Sequence, residues 1–282
     1  MQKIKKSFLS EIPFFVSLPA LLWQILFLFI PFLFILYLSF SKTALFGFTF
    51  ENFAAVINFT HLQIIFRSIV IAFFSTIVCL IIAYPVAYFL AFKAQKWKSF
   101  CLFLLTLPLW VNFLVQVYAW FFVLEKEGIV NKILIFLRLT KEPVHMMNNT
   151  FAIVLVMIHV YLPFMIMPLY NVLEKFDVEL IEASLDLGAS KWKTFFWVTF
   201  PLSLSGVYLG FFLVFVMSFG EVVIPLLLGG GKKLFVGTLI SEYFLGARNM
   251  PRGAAFTIFS SIILGITLIV FYALLRKKVK GK

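Results

Sequence analysis

The chain has 282 residues, of which 63% are hydrophobic, 19% aromatic and only 13% charged. No water-soluble domain of this size could bury so much apolar surface, so the composition excludes a soluble globular protein and predicts a polytopic membrane protein. The net charge of +12 does not indicate a nucleic-acid-binding protein, because the basic residues stand in ones, twos and threes at the ends of apolar runs.

Six apolar runs are each long enough to cross a bilayer as a helix, which takes about 20 residues. The runs are continuously apolar rather than alternating, and backbone groups in lipid must be satisfied within a segment, so helices are favoured over a β-barrel. The first run is longer than the apolar core of a signal peptide and is predicted to be a retained span. The sequence therefore predicts one all-α transmembrane domain over 1–282, with spans near 14–40, 64–92, 99–124, 150–170, 202–228 and 253–275.

The distribution of Lys and Arg predicts the orientation of these spans. With both termini on one side, that side carries fourteen of the 24 basic residues, including Lys3, Lys5 and Lys6 of the N-terminal tail. The bias is clearest in two short elements, KAQKWK at 93–98 and RKKVKGK at 276–282. Because short basic segments remain on the cytoplasmic side, both termini and the connection between spans four and five are predicted to be cytoplasmic.

The other three connections, 41–63, 125–149 and 229–252, are then on the outer side. Within the second, residues 128–139 (GIVNKILIFLRL) have apolar positions at helical spacing together with Lys132 and Arg138. This segment is either a short helix in the outer membrane interface or a helix packed within its loop. The third contains GGGKK at 229–233 and is typical of exposed turns.

The stretch 174–201 (EKFDVELIEASLDLGASKWKTFFWVTFP) differs from everything around it, because it holds five of the twelve acidic residues between two long apolar runs. Its first half suits a helix that Gly188 can end by adopting a positive φ, and Ser190 can cap a second helix. Pro201 follows where the fifth span is predicted to begin, a position that tolerates its missing N–H. The stretch thus predicts a helix–turn–helix with an apolar face (Trp192, Phe195, Phe196, Val198, Thr199), which either docks on a partner protein or is an ordinary amphipathic loop.

The spacing within 182–201 resembles the EAA motif of the permease subunits of ATP-driven (ABC) importers. In that motif E-A-A is followed after three residues by G and, nine residues later, by I-x-L-P. The matching positions here are Glu182, Ala183, Ser184, Gly188, Val198, Thr199, Phe200 and Pro201. Serine replaces the second alanine, valine the isoleucine and phenylalanine the leucine, and each replacement approximately keeps size or apolarity. The resemblance implies that this loop is a coupling helix, in which Glu182, Ala183, Ser184, Gly188 and Pro201 serve docking into a groove on a cytoplasmic ATP-binding subunit.

Further stretches resemble the spermidine/putrescine permeases among these importers: 83–91, 107–120, 161–177 and 227–237. The resemblance implies a permease subunit without a cofactor of its own, in a bacterial inner membrane. It implies three kinds of protein partner, namely a cytoplasmic ATPase dimer, a second similar permease subunit and an extracytoplasmic substrate-binding protein. The implied substrate is a polyamine. Gln116 stands where many polyamine-type permeases carry a basic residue, so sulfate, molybdate and ferric iron, whose permeases share the EAA region, are alternative substrates.

Glu221 is the one acidic residue deep within a predicted span. It lies about 20 residues beyond Pro201, or roughly 30 Å along a straight helix, which puts it in the outer half of the membrane. Pro225 removes the hydrogen bond to the carbonyl of Glu221, so a carboxylate would stand beside a freed carbonyl, with Gly220 allowing close approach. We interpret this position as part of a pathway for an ammonium group. The alternative is a protonated carboxyl, or one paired with a partner subunit for structural reasons.

Span three carries Asn112, Gln116 and Trp120 at four-residue spacing, which places them on one helix face. With Trp110 and Tyr118 they could surround a flexible cation through amide and cation–π contacts. Alternatively, the amides join helices and the aromatic residues form an interfacial belt. His159, which lies with Tyr161 in span four, is expected to be a helix-packing hydrogen bonder.

The sequence contains no P-loop, HExxH, CxxC or Gly-x-Ser-x-Gly motif, so we predict no catalytic or metal site and assign ATP hydrolysis to a separate subunit. A membrane enzyme or assembly factor would need a cluster of His or acidic residues, which three scattered histidines and one intramembrane acid cannot supply. A secondary carrier would be expected to show a repeat with broken helices around a midplane site, and six spans with one intramembrane acid fit that poorly.

Overall fold

The computed structural model describes residues 18–42, 47–94, 96–231 and 233–280, with side chains up to residue 273. Lys3, Lys5 and Lys6, the start of the first predicted span at 14–17, Lys232 and Lys282 lie outside the described residues. Within these ranges every regular element is a helix, apart from one isolated bridge between Ser41 and Phe48. The chain forms two compact units, one from the described residues of Met1–His61 with Ile240–Ile262, the other from Leu62–Leu239 with the described residues of Ile263–Lys282.

The first unit contains α1 (Leu18–Ser39) and α2 (Glu51–Val56). Asn52, which is buried, joins them by donating from Nδ2 to the carbonyls of Ser39 (3.2 Å) and Ser41 (2.8 Å). Most apolar side chains of α1 are exposed, so this helix depends on lipid or on another chain to cover it.

The second unit contains most of the helices. In chain order these are α3 (Phe59–Phe92), α4 (Lys98–Trp110), α5 (Phe113–Leu124), α6 (Ile129–Phe136), α7 (Thr150–Leu173), α8 (Glu179–Asp186), α9 (Lys191–Leu202), α10 (Leu204–Phe219), α11 (Val223–Leu228) and α12 (Val236–Ser241). The helices α3 and α12 and the last helix, α13 (Met250–Lys280), each run across the boundary between the units.

The core of the second unit is the pair α7 and α10. Gly206 and Gly210 of α10 lie against the α7 backbone: a Cβ at Gly206 would come within 2.9 Å of the Pro168 carbonyl, and one at Gly210 within 2.8 Å of the Met165 sulfur. Small residues four apart let two membrane helices approach this closely, so α7 is the most buried of the unbroken candidate spans.

Four helices are long and apolar enough to cross a membrane unbroken: α1, α3, α7 and the Met250–Ala273 part of α13. Two bent pairs complete a set of six if each pair counts as one span. The predicted all-α class is confirmed, but two of the predicted spans are not single helices.

The third predicted span, 99–124, is divided at Val111. The segments Lys98–Trp110 and Phe113–Phe136 meet at an angle of 93°. Pro108 weakens the end of α4, Val111 is extended, and Asn112 caps α5 by accepting a hydrogen bond from the Leu114 N–H (2.9 Å). Proline followed by a strong N-cap residue ends one helix and begins the next, and this local signal overrides the continuous apolar pattern.

The fifth predicted span, 202–228, is also wrong as one helix. Its first part, α10, forms a 64° bend with Lys191–Leu202, and it ends at Phe219. The chain then breaks at Gly220–Val222 before α11 begins. Pro225 is therefore in the first turn of a short helix, where a missing N–H leaves no carbonyl unpaired. The proposed freeing of the Glu221 carbonyl by Pro225 does not occur, and the depth calculated along a straight helix does not apply to Glu221.

The predicted helix within 128–139 is present as α6. Asn131 is buried and fixes it to the loop, donating to the carbonyls of Glu125 and Val144 (3.1 Å each) and accepting from the Val144 N–H (2.9 Å). Ile133 and Phe136 remain exposed, so the apolar face of α6 is not covered by the described part of its own loop.

Candidate coupling element and substrate pathway

The helix–turn–helix predicted for the polar stretch is formed by α8 and α9, which together are called the coupling element below. Gly188 adopts a φ of +83°, the left-handed conformation that ends α8, and the Ala189 N–H donates to the Ser184 carbonyl (3.2 Å). Ser190 then caps α9 by accepting from the Lys193 N–H (3.4 Å). Both local predictions are confirmed.

Ser184, which departs from the alanine of the EAA pattern, has a structural use. Its hydroxyl is 3.0 Å from the hydroxyl of Thr194, which is buried, so one hydrogen bond joins α8 to α9. This bond is a second connection between the two helices besides the turn at Gly188. Glu182, on the same short helix, is exposed.

The exposed surface of this element is apolar as well as acidic. Leu187 is 89% and Trp192 74% exposed, and Trp192 stacks on Phe196, which is also exposed, with ring centroids 6.2 Å apart. The predicted apolar face is divided, because Thr199 is buried and Phe195 and Val198 are half-buried. Large exposed apolar side chains beside carboxylates indicate a surface that another molecule covers.

Pro201 is the last residue but one of α9, close to the predicted start of the fifth span, and directly precedes the 64° bend that leads into α10. The turn before it, Phe195–Thr199, widens to a π-helix, in which the Phe200 N–H donates to the Phe195 carbonyl. A wide turn relieves the clash between a proline ring and the preceding turn, and the same arrangement occurs in α1, where Ile25–Phe29 precedes Pro31.

A salt bridge joins the start of α4 to the end of α7. The Lys98 ammonium donates to the Glu174 carboxylate and lies 5.4 Å from the centre of the Tyr170 ring. The hydrogen bond from Lys98 holds the pKa of the Glu174 carboxyl below its usual value. The contact places two segments that the charge pattern assigned to one side of the membrane at the same end of the unit.

The second candidate region is the break between α10 and α11. One carboxylate oxygen of Glu221 accepts hydrogen bonds from the backbone N–H groups of Val222 (3.1 Å), Val223 (2.9 Å) and Ile224 (3.3 Å). The other accepts from the hydroxyl of Tyr161, which is buried on α7. Glu221 therefore satisfies the free N–H groups at the start of α11 and fixes the break to the core.

Gly237, at the start of α12, packs directly on this break. A Cβ there would come within 2.5 Å of the Gly220 carbonyl oxygen and 2.6 Å of the Glu221 carbonyl oxygen. Helix α11 itself packs against α5 and α7. The structure thus brings the break together with the helices that carry Gln116, Tyr118, Trp120 and Tyr161.

The amides of span three are used to repair their own break. Gln116 donates from Nε2 to the carbonyls of Pro108 and, at 3.1 Å, Val111, while Asn112 caps α5. Asn112 stands at the junction as the N-cap of α5, not within the straight helix that the four-residue spacing assumed. The Gln116 amide nitrogen therefore acts as in the alternative interpretation, in which the amides of span three join helices.

The aromatic candidates separate into two groups. Trp120 packs edge-on against His159 with ring centroids 5.2 Å apart, which joins α5 to α7. Trp110, the last residue of α4, is 78% exposed, and Tyr118 is half exposed. The sequence predicted no role for Tyr161, and its partnership with Glu221 was missed because the two residues are 60 positions apart in the chain.

Comparison with known proteins identifies the family. Residues 80–281 match the model of the family described as "Binding-protein-dependent transport system inner membrane component". The chain belongs to this family. It is therefore the permease subunit of a binding-protein-dependent ABC importer, a multi-pass inner-membrane protein, and not an enzyme, since ATP hydrolysis in this family resides on a separate subunit.

Curated relatives of this permease match it along most of its length. It is 36% identical over 265 residues to the "Spermidine/putrescine transport system permease protein PotB" of Salmonella typhimurium (strain LT2), covering 91% of this chain and 92% of the relative. It is 35% identical over 266 residues to the protein of that name from Escherichia coli (strain K12), covering 92% of this chain and 97% of the relative.

The fold of the permease also matches a solved structure, a chain of a bacterial alginate ABC transporter in complex with an alginate pentasaccharide-bound periplasmic protein. The TM-score is 0.77 at 14% sequence identity, covering 99% of this chain and 98% of that chain. At this identity the likeness establishes the fold alone.

Proposed function

We propose that this permease imports a polyamine, with spermidine and putrescine as the candidate solutes. The proposal is supported by relatives that are named as spermidine/putrescine permeases and match the chain nearly end to end. The observation that carries the transport mechanism is the coupling element, because its EAA spacing, its left-handed Gly188 and its exposed apolar side chains suit docking into a groove.

The proposed assembly has four kinds of protein chain. A dimer of cytoplasmic ATPases holds the 182–201 loops through Glu182, Ala183, Ser184, Gly188 and Pro201. A second, similar permease pairs with this one, and an extracytoplasmic binding protein delivers the solute to the outer connections. The whole chain acts as one transmembrane domain with both termini in the cytoplasm. ATP binding drives the change between inward-facing and outward-facing states by favouring one of them.

For the pathway, we propose that ammonium groups pass the breaks in spans three and five. Both carboxylate oxygens of Glu221 are already bonded within the chain, so Glu221 would attract a cation by its charge rather than by direct contact. The ring faces of Trp110, Tyr118 and Trp120 would contact the cation, and Asn112 and the free oxygen of the Gln116 amide would accept hydrogen bonds from it.

The substrate assignment is tested by ATP hydrolysis of the reconstituted complex with differently loaded binding proteins. Spermidine-loaded binding protein should stimulate hydrolysis, whereas molybdate-loaded binding protein of a molybdate system should not. Stimulation by the molybdate-loaded protein alone would reject the polyamine and favour an oxyanion. Spermidine is a cation and molybdate is an anion. The Glu221→Gln variant, which loses the negative charge, should therefore weaken uptake of spermidine but not uptake of molybdate.

A further inference from the structure

The bend between α9 and α10 is bonded to another helix of the unit. Ser203 lies at the bend of 64° and is fully buried. Its hydroxyl is 2.8 Å from the hydroxyl of Tyr84, a buried residue of α3. Neither residue belongs to the EAA pattern.

The direction of this hydrogen bond follows from the other partner of Ser203. The single hydrogen of the Ser203 hydroxyl is donated to the Phe200 carbonyl (2.9 Å), so the Tyr84 hydroxyl must donate to Ser203 Oγ. The chain Tyr84, Ser203, Phe200 therefore runs from α3 to the last turn of α9. Hydrogen bonds between buried groups of this kind are costly to leave unmade.

The ring of Tyr84 packs on the same end of α9. It meets Phe195 at 5.4 Å in an edge-to-face arrangement and Phe200 at 5.8 Å. Phe195 begins the π turn that accommodates Pro201, and Phe200 follows it. One side chain of α3 thus contacts both ends of the widened turn and the residue at the bend.

The other end of α9 is joined to α8 by the Ser184–Thr194 hydrogen bond. Helix α9 is therefore joined to α8 near its start and to Tyr84 at its end. When a partner moves α8, the start of α9 would follow and the helix would turn about the end that Tyr84 holds. A fixed angle at Ser203 would pass this rotation to α10 and α3, whereas a loose bend would absorb it.

We propose that Tyr84 is a positioning residue for coupling: through Ser203 it fixes the angle between α9 and α10. The inference rests on the proposed docking of the coupling element to an ATPase, but not on the identity of the solute. It predicts that loss of the hydrogen bond separates ATP hydrolysis from transport rather than abolishing docking.

The experiment measures ATP-dependent spermidine uptake and ATP hydrolysis by the same proteoliposomes containing the whole complex. Tyr84→Phe and Ser203→Ala should each keep hydrolysis near the wild-type rate and lower the uptake per ATP about five-fold, the effect of roughly one lost buried hydrogen bond on the balance between two states. The double variant should be no worse than Ser203→Ala alone, because Ser203→Ala already removes the bond to Tyr84. Ser203→Thr, which keeps a hydroxyl, should restore most of the ratio.

Tyr88→Phe is the matched control. It removes the same hydroxyl one turn further along α3, from a ring that packs on Phe92 at 4.8 Å, and should leave the ratio unchanged. Three results for Tyr84→Phe would each overturn the proposal. An unchanged ratio would mean that the bond has no role in coupling. A proportional fall in uptake and hydrolysis would mean that it serves docking, and failure to assemble would mean that it serves folding. A wild-type complex that hydrolyses ATP without spermidine uptake would reject the substrate instead, and the ratio would then be measured with molybdate.

Discussion

The breaks at Glu221 and at Asn112 solve the same problem in different ways. Each interrupts a predicted span and leaves backbone groups without helical partners. At Glu221 the repair reaches across the unit, because the carboxylate also accepts from Tyr161 of the buried helix α7. At Asn112 the repair is local, since Asn112 and Gln116 bond only backbone groups between Pro108 and Leu114. The first break is thus bonded directly to the core, whereas the second is held by hydrogen bonds within its own segment.

The largest effect that this comparison predicts is for Glu221→Ala. Removing the side chain leaves three N–H groups and the Tyr161 hydroxyl without their acceptor, so we expect a loss of about 3 kcal/mol of stability. The buried thiol of Cys79 is a natural probe: in a Cys101→Ser background, the temperature at which it reacts with a fluorogenic maleimide reports unfolding. Glu221→Gln keeps an acceptor oxygen and should lose less than half as much. If Glu221→Ala unfolds at the wild-type temperature, the break is not fixed by the carboxylate.

A smaller effect is expected for Tyr161→Phe, which removes one donor to a carboxylate and keeps the packing of the ring. A buried hydrogen bond to a charged group contributes about 2 kcal/mol. The same thiol assay measures the loss, and in a Glu221→Gln background the loss should shrink toward that of a neutral hydrogen bond. Equal losses in the two backgrounds would mean that Tyr161 and Glu221 act independently.

The smallest effect is expected at the local break. Gln116→Leu removes the bonds to Pro108 and Val111 from a half-exposed site, so stability should fall by only about 1 kcal/mol. The angle between α4 and α5 should nevertheless become variable, which spin labels placed at residues 104 and 118 would detect as a broader distance distribution. A fall as large as that of Glu221→Ala would remove the distinction between the two breaks.

The sequence predicted what depends on short-range rules. The end of α8 at Gly188 and the cap of α9 at Ser190 follow from backbone conformations that particular residues favour, and both are present. The two breaks also had local signals, Pro108 before Asn112 and Gly220–Glu221 before Pro225. An apolar run of about 20 residues hides such signals, because hydropathy does not distinguish one straight helix from two short ones. The partnerships Tyr161–Glu221 and Tyr84–Ser203 join residues far apart in the chain and depend on tertiary packing, which no local pattern reports.

The most direct test of the whole account is ATP-dependent uptake by the reconstituted complex when only the conformation of Gly188 is challenged. A Cβ would meet nothing within 4 Å at Gly188 or at Gly265, but Gly188 alone of these two has a positive φ, of +83°. Gly188→Val should therefore abolish spermidine uptake while Cys79 stays protected at ordinary temperature, and Gly265→Val should transport normally. Wild-type uptake by the Gly188→Val complex would contradict the claim that this turn connects the permease to its ATPase.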